Sequence, residues 1–243
     1  MKNLLIYFII LVSFCACSTK SKKSLAPDLI YNKALLAMKS KKYLKAGELW
    51  EKLEREYPES ELMAITRLNQ GDVSYELGEY EKAREAYLRF LKLHPLYKEA
   101  HRARYRTALC YFKEISPKDK DQTATKLALS EFQRYLQEYP KGELVDKVRE
   151  NINLCRLRLA EHDLYIAEFY MKKKNYVATR NRLQKILATY PDISFLDNIL
   201  YLYYESYFNE AMYDESKYFF ELLLKNYPDS AYIAKINRMK PRY

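Results

Sequence analysis

The chain has 243 residues, of which 30% are charged and 49% hydrophobic, and its formal net charge at pH 7 is +10. It contains only four glycines and no sustained alternation of apolar and polar residues, so the composition excludes a strand-rich fold and fits an all-α protein. A basic, tyrosine-rich chain is also compatible with nucleic-acid binding, which must be weighed against other features of the sequence.

The first sixteen residues have the form of a secretory signal. Residues 1–3 are a short basic start, and residues 4–14 form an apolar run that is too short to span a bilayer. The next stretch resembles a bacterial lipobox, because the small residue Ala16 directly precedes Cys17. We therefore expect residues 1–16 to be a lipoprotein signal peptide and Cys17 to be the lipidation site. The alternative is ordinary secretion with cleavage elsewhere.

Residues 17–26 are expected to be the lipidated N-terminus and a polar tether. Ser18 and Thr19 follow the cysteine, with no aspartate, which in enteric-type sorting resembles an outer-membrane address. This predicts a protein that is held at the inner leaflet of the outer membrane by its lipid anchor alone and faces the periplasm. Export to that compartment argues against nucleic acid as a partner.

An internal repeat is marked by five dipeptides in which tyrosine or histidine precedes proline. Proline cannot continue a helix and disfavours helical geometry in the residue before it, so each dipeptide marks the end of a helix. The intervals between the prolines are 37, 45, 51 and 37 residues. The dipeptides are Tyr57-Pro58, His94-Pro95, Tyr139-Pro140, Tyr190-Pro191 and Tyr227-Pro228.

A small residue lies twelve positions before four of these prolines, and large apolar residues follow it at helical spacing. In the fourth repeat Ala178 lies thirteen positions before Pro191, which predicts a shift of one residue. An apolar-periodic segment precedes each of these helices, and the pair together has about the 34-residue tetratricopeptide length. The four small residues are Ala46, Ala83, Ala128 and Ser216.

We therefore predict a single solenoid of five helix pairs over residues 27–243, wound as a right-handed superhelix. Two repeats are longer than the standard. The third has a polar insert at residues 116–122, and the fourth has an unbroken first segment from about Glu143 to Lys174. The predicted repeats are 27–58, 59–95, 96–140, 141–191 and 192–228, followed by a short tail.

Chemistry-bearing motifs are lacking in the sequence. The three histidines have no metal-ligand spacing, and there is no nucleophile elbow or phosphate-binding glycine loop. Cys110 and Cys155 lie in apolar-periodic helices, where a buried thiol is commoner than a disulfide, although an oxidising compartment permits one. We expect no enzymatic activity, no metal and no cofactor.

Two sets of residues are candidates for partner contacts. The arginine-rich stretch at residues 102–106 is interpreted as a solvated helix face, with a docking surface as the second interpretation. First helices line the concave face of a tetratricopeptide stack, although an aromatic residue at helical spacing more often belongs to the core. The groove candidates in the first two repeats are Tyr31, Leu35, Met38, Leu68, Asp72 and Tyr75.

The combination of a lipobox, five repeats, an insert in the third and a long helix in the fourth resembles the BamD family of outer-membrane assembly lipoproteins. The similar segments are residues 89–95, the insert residues Asp119, Lys120 and Asp121, and residues 132–140. The fourth repeat matches best, with residues 167–170 and 176–178, Asn181 and Arg182, and residues 190–192.

This resemblance implies a non-enzymatic subunit of the machinery that folds β-barrel proteins into the outer membrane. In that family the C-terminal repeats dock the periplasmic domains of the barrel-shaped insertase, and the N-terminal repeats are linked to recognition of unfolded barrel substrates. By position, Asn181 and Arg182 match the pair near the insertase interface, and Asp119, Lys120 and Asp121 are assigned to the same side. The family usually has arginine where Lys120 stands. Other assembly lipoproteins are implied as further partners.

Two alternatives stay open. In the first alternative, the chain is a different tetratricopeptide lipoprotein of the envelope, such as a secretin pilotin or a factor in cell division or envelope maintenance. In the second alternative, the chain is an enzyme acting on cell-wall material and the repeats are its scaffold, although nothing outside the repeats is left to build a catalytic cleft.

Overall fold

A computed structural model of the chain describes residues 26–239; the predicted signal peptide, the lipidation site Cys17 and the tether up to residue 25 lie outside this range. The described residues form eleven helices and no strands, so the predicted all-α class is confirmed. The helices are α1 (Pro27–Lys39), α2 (Tyr43–Glu56), α3 (Met63–Glu76), α4 (Tyr80–Leu93), α5 (Ala100–Lys113), α6 (Thr123–Glu138), α7 (Val145–Lys172), α8 (Tyr176–Thr189), α9 (Leu196–Asn209), α10 (Tyr213–Asn226) and α11 (Ala231–Arg238).

The chain divides into two compact units between Thr66 and Arg67, inside α3. In the first unit α1 packs against α2. Trp50 is fully buried there, and its ring centroid lies 5.1 Å from that of Tyr31. Ala34 and Ala46 are also fully buried, which lets the two helices approach closely. The prediction of one continuous right-handed solenoid over residues 27–243 stays a prediction.

In the second unit each helix from α4 to α10 packs against the next along the chain, as in stacked helix pairs. The segment predicted to be a short tail forms the helix α11, which packs against both α9 and α10. Two cores share the long helix α7. Its first half contributes Val148 and Cys155 to a core with α6, and its second half contributes Leu164 and Ala167 to a core with α8 and α9.

All five predicted helix ends are confirmed. The tyrosine or histidine before each proline is the C-cap residue of α2, α4, α6, α8 or α10. Its φ lies between −140° and −132° and its ψ between 54° and 67°. In every case its backbone N–H still donates to the carbonyl four residues earlier, so the helix closes its last hydrogen bond before proline stops it.

The predicted one-residue shift in the fourth repeat is wrong. Thr179, twelve residues before Pro191, is fully buried, whereas Ala178 is partly exposed. The Thr179 hydroxyl donates to the carbonyl of Asn175 at 3.0 Å and approaches that of Ala167 at 3.4 Å. A threonine therefore fills the small-residue position once its hydroxyl is bonded to backbone carbonyls, and the repeat keeps its phase.

Four of the five helix pairs use the same turn between their helices. The second residue after the first helix has a positive φ: 56° at Lys41, 80° at Gly78, 57° at Lys174 and 59° at Ala211. The N–H groups of this residue and of the next one bond back to carbonyls of the last helical turn, which is the Schellman arrangement. The third pair has the predicted insert in place of this turn.

The long fourth-repeat segment is confirmed as one helix, since α7 has 28 residues while its partner α8 has 14. At 1.5 Å per residue α7 is about 42 Å long. It packs against α6, α8 and α9. This helix positions both segments that the sequence assigned to the insertase side.

Candidate partner-binding site

The insert between α5 and α6 is closed around a buried glutamine. Gln122 is only 3% exposed, and its Nε2 donates to the carbonyls of Pro117 at 2.8 Å and Lys120 at 3.1 Å. Its Oε1 accepts from the Thr125 hydroxyl at 2.8 Å. Because every polar atom of this side chain is bonded, the loop has a defined shape rather than a set of alternatives. Gln122 was not singled out from the sequence, because a polar side chain gives no indication of burial.

The three predicted insert residues are exposed but are not equivalent. Asp121 accepts from the backbone N–H of Thr123 at 2.8 Å at the start of α6, and this hydrogen bond lowers the pKa of its carboxyl. Asp121 is thus partly used in capping α6. Asp119 and Lys120 present their charges at the tip of the loop.

Arg182 lies on α8 and faces Asp163 of α7, with 3.8 Å between Nη1 and Oδ1. Lys185 shares the same carboxylate at 4.0 Å. These distances exceed those of a good charge-assisted hydrogen bond, and the Arg182 side chain is 36% exposed. Its guanidinium therefore keeps donors available for a partner carboxylate. Asn181, next to it, is exposed.

Two adjacent residues of α7 bring the insert and Arg182 to the same part of the fold. The Nδ1–H of His162 donates to the carbonyl of Lys118 at 2.6 Å, and Asp163 is the residue that faces Arg182. Both predicted insertase-side segments are therefore held at one turn of a long helix. Neither His162 nor Asp163 was singled out from the sequence.

Other polar residues in and beside the matching segments of the fourth repeat are structural. Asn175 caps α8, because its side chain accepts from the N–H of Ala178 at 3.1 Å. Asp192 accepts two hydrogen bonds from Arg156, at 2.6 and 3.0 Å, which ties the loop after α8 back to α7. Within the same segments, Phe169 is 49% exposed.

Two groove candidates are wrong, because their side chains are occupied by the fold. Leu68 is 0% exposed and belongs to the core. Asp72 is 8% exposed; it accepts from the Tyr87 hydroxyl at 2.7 Å and from Arg102 at 3.2 Å. Arg106 Nε lies 3.6 Å from Oδ1, the oxygen that also accepts from Tyr87. A buried carboxylate that already pairs with three side chains of the fold is not displayed to a peptide ligand.

The remaining groove candidates stay predictions. Leu35 is 40% exposed, while Tyr31 and Met38 are half-buried. Tyr75 is also half-buried, with the Arg106 guanidinium 4.6 Å from its ring centroid. Burial raises the pKa of Tyr75 above its ordinary value, so its hydroxyl stays a neutral donor at physiological pH.

The interpretation of residues 102–106 as a solvated face is also wrong. Arg104 is 6% exposed and donates twice to Glu138, at 2.9 and 3.2 Å, with Glu131 at 3.3 Å. Its neighbours Arg102 and Arg106 are paired with Asp72. The positive charge of this stretch joins α5 to α3 and α6, and it is not displayed to solvent as a patch.

Cys110 and Cys155 are buried, free thiols. Burial raises the pKa of each to about 12, so both remain protonated and inert near neutral pH. Across residues 26–239, no helix combines the length and the apolar character needed to cross a bilayer.

These stacked helix pairs, with their repeated turns and helix stops, define a tetratricopeptide-type repeat protein. A solved structure with the same architecture is the TPR2AB domain of yeast Sti1 in its pHSP90 complex, with a TM-score of 0.52 at 14% identity; the similarity covers 85% of this chain and 80% of that one. The family model described as "YfiO: Outer membrane lipoprotein" matches residues 24–219, and the chain belongs to this family.

Similar curated proteins from several bacteria are named outer membrane protein assembly factor BamD. The relative from Rickettsia prowazekii is 29% identical over 230 residues, which cover 94% of this chain and 92% of that protein. The relative from Vibrio cholerae is 26% identical over 203 residues, with 79% and 84% covered. These similarities extend over nearly the whole repeat region.

Proposed function

We propose that this protein is a non-enzymatic subunit of the complex that assembles β-barrel proteins in the outer membrane. The observation that carries the proposal is the match of residues 24–219 to an outer-membrane lipoprotein family whose similar members are named as assembly factors. The fold supports it, since stacked helix pairs present extended binding surfaces. Its mechanism is binding alone.

The insertase side is proposed to be the surface around His162 and Asp163 of α7. Arg182 offers a planar guanidinium with spare donors, which suits an acidic side chain of the insertase. Asp119 and Lys120 add a pair of opposite charges on a closed loop, so that the partner must match both signs. Lys120 contributes a point charge and does not give the two-pronged contact of arginine.

The first helices of repeats 1 and 2 are proposed to engage unfolded outer-membrane protein substrates. The residues that remain accessible there are Tyr31, Leu35, Met38 and Tyr75. Tyrosine gives a large contact area with few rotamers to lose, and leucine and methionine adapt to varied apolar side chains. Side chains of these types suit substrates that share a general chemistry and not one sequence.

A lipid anchor at Cys17 is proposed to keep both activities at the inner leaflet of the outer membrane. Several acyl chains on one cysteine would give durable attachment, which a single myristoyl chain does not. Cys17→Ser is expected to leave the protein in the soluble fraction. Accessory lipoproteins of the complex are proposed as further partners.

The decisive experiment is Arg182→Glu in the full-length lipoprotein. Reversal of this charge should repel the acidic partner group and reduce copurification of the insertase from detergent-solubilised membranes by at least tenfold. The helical circular-dichroism signal should be unchanged, because the contact of Arg182 with Asp163 is long and half-exposed.

The matched control is Arg89→Glu, the same charge change at an exposed position of α4, which should copurify as the wild type does. Normal copurification with Arg182→Glu would reject the assigned interface. Recovery of a secretin in place of a barrel insertase would favour the pilotin alternative.

A further inference from the structure

The second unit has a groove of about 530 Å³ that lies away from the insert and from Arg182. It is lined by residues of α7, α9 and α11 and by the turn that leads into α8. This volume falls within the range of ligand-binding clefts, roughly 300–1,000 Å³. Its walls are helical, so a bound chain would be recognised by side chains and not by an added strand.

One wall of the groove is a stacked aromatic pair. The rings of Tyr201 on α9 and Tyr232 on α11 are 4.7 Å apart between centroids and nearly parallel, at 14°. The ammonium group of Lys235 lies 4.3 Å from the centroid of the Tyr201 ring. This cation–π contact directs Lys235 along the wall, although its side chain is exposed.

The acids and the bases of the groove differ in what they contact. Glu168 accepts from the Asn198 amide at 3.4 Å. Glu205 lies beside Tyr201, and the pKa of the Tyr201 phenol is raised mainly by burial and secondly by this carboxylate. The three lysines, Lys172, Lys174 and Lys235, have no carboxylate partner in the part of the chain that the structure describes. The groove therefore carries three lysines and two glutamates, and no ammonium group of these lysines is neutralised by an ion pair within residues 26–239.

We propose that this groove binds an extended acidic segment of a partner protein. Lys172 is the last residue of α7, Lys174 lies in the turn that follows, and Lys235 lies on α11, so the ammonium groups belong to separate elements. Several carboxylates along an extended peptide fit this distribution, and the stacked tyrosines supply an apolar surface for the side chains between them. The inference goes beyond the assembly role and concerns a surface distinct from the proposed insertase side.

The probe is a fluorescein-labelled decapeptide of alternating glutamate and leucine, with a lysine–leucine decapeptide as its counterpart. Fluorescence anisotropy is measured with the full-length protein in detergent. The acidic peptide should bind, and its affinity should fall at least tenfold in Lys172→Glu/Lys235→Glu and should also fall as salt is raised. The control Lys126→Glu/Lys225→Glu carries the same charge change at exposed positions outside the groove and should bind as the wild type does.

Equal binding of the basic peptide, or undiminished binding to the groove variant, would overturn the proposal. Full competition by inorganic phosphate at constant ionic strength would also overturn it, since it would indicate a small-anion site. Circular dichroism checks that the variants remain folded, which we expect because the substituted lysines are exposed. Insertase copurification is measured on the same variant, so a failure here is distinguishable from a failure of the proposed function.

Discussion

At the scale of single residues, much of the charge in the second unit is used to join helices. Asp72 connects α3 to Tyr87 of α4 and to Arg102 of α5. Gly71 is part of the same arrangement, because a Cβ there would lie 2.7 Å from Cε1 of Tyr87. The glycine gives the tyrosine ring the room it needs to reach Asp72. Buried networks of this kind stabilise a fold when every member is bonded.

Glu138 is the residue where this charge should make stability depend on pH. Burial on its own raises the pKa of the Glu138 carboxyl. The hydrogen bonds and positive charges of Arg134 and Arg104 together lower this pKa by more, so the net pKa lies below the ordinary 4.5. A carboxyl with a depressed folded-state pKa stabilises above its unfolded-state pKa and loses that contribution as pH falls through the folded value.

Glu138→Gln should therefore lower the free energy of unfolding at pH 7 by about 1 kcal/mol. It should also flatten the loss of stability below about pH 4.5, where the wild type loses this contribution. Urea unfolding at a series of pH values provides the measurement. Glu85→Gln, at an exposed position of α4, is the control. Parallel pH profiles for wild type and Glu138→Gln would contradict the assignment.

At the scale of helices and turns, one backbone geometry is built from different residues. The turn between paired helices needs a positive φ at its second residue, which glycine adopts without cost and other residues adopt at about 1–2 kcal/mol. Gly78 meets this requirement, whereas Lys41, Lys174 and Ala211 carry a side chain in the same conformation. The packing of each helix pair must offset that cost.

Opposite substitutions at two of these turns should have opposite effects. Gly78→Ala should destabilise by about 1 kcal/mol through backbone strain alone, because nothing lies within 4 Å of the added Cβ. Ala211→Gly should stabilise by up to about 1 kcal/mol, less the entropy that glycine adds to the unfolded chain. The unfolding temperatures of both variants provide the measurement. If both temperatures shift in the same direction, the role assigned to the positive φ is refuted.

Backbone-level features were predictable from the sequence because they depend on local rules. Proline cannot continue a helix beyond its first turn, so the five helix ends and the unbroken α7 could be predicted directly. Thr179, Gln122 and Leu68 could not be assigned correctly, since their burial depends on partners distant in the chain or on hydrogen bonds that hide polarity. Asn181 and Arg182 were found only by similarity, because no physical pattern separates them from other surface residues of α8.

At the scale of the whole molecule, two neighbouring-repeat contacts recur with nearly the same geometry. Arg84 of α4 lies 2.9 Å from Glu114 and 4.3 Å from the ring centroid of Tyr111. Arg180 of α8 lies 2.6 Å from Glu210 and 4.4 Å from the ring centroid of Tyr207. The arginine follows the buried small residue of its helix in both cases. Each contact joins the second helix of one repeat to the first helix of the next.

Arg180→Gln should loosen the fifth repeat selectively. The stability of a repeat array is close to a sum of repeat terms and nearest-neighbour terms, so a weaker interface lets the terminal repeat open by itself. Hydrogen exchange should show protection in α9–α11 falling by about 1–2 kcal/mol, with little change in α5 and α6. Arg158→Gln, which removes an ion pair within α7, is the control. A uniform loss of protection would contradict this local coupling.

The two cores that share α7 impose a constraint on its length. Val148 and Cys155 face one core and Leu164 and Ala167 the other, and each residue turns a helix by about 100°. One residue inserted between these groups would rotate half of α7 against the other half, so one core would lose its apolar face. Substitutions along α7 are thus far better tolerated than insertions or deletions, and divergence in this family should accumulate in the identity of its α7 residues while their number stays fixed.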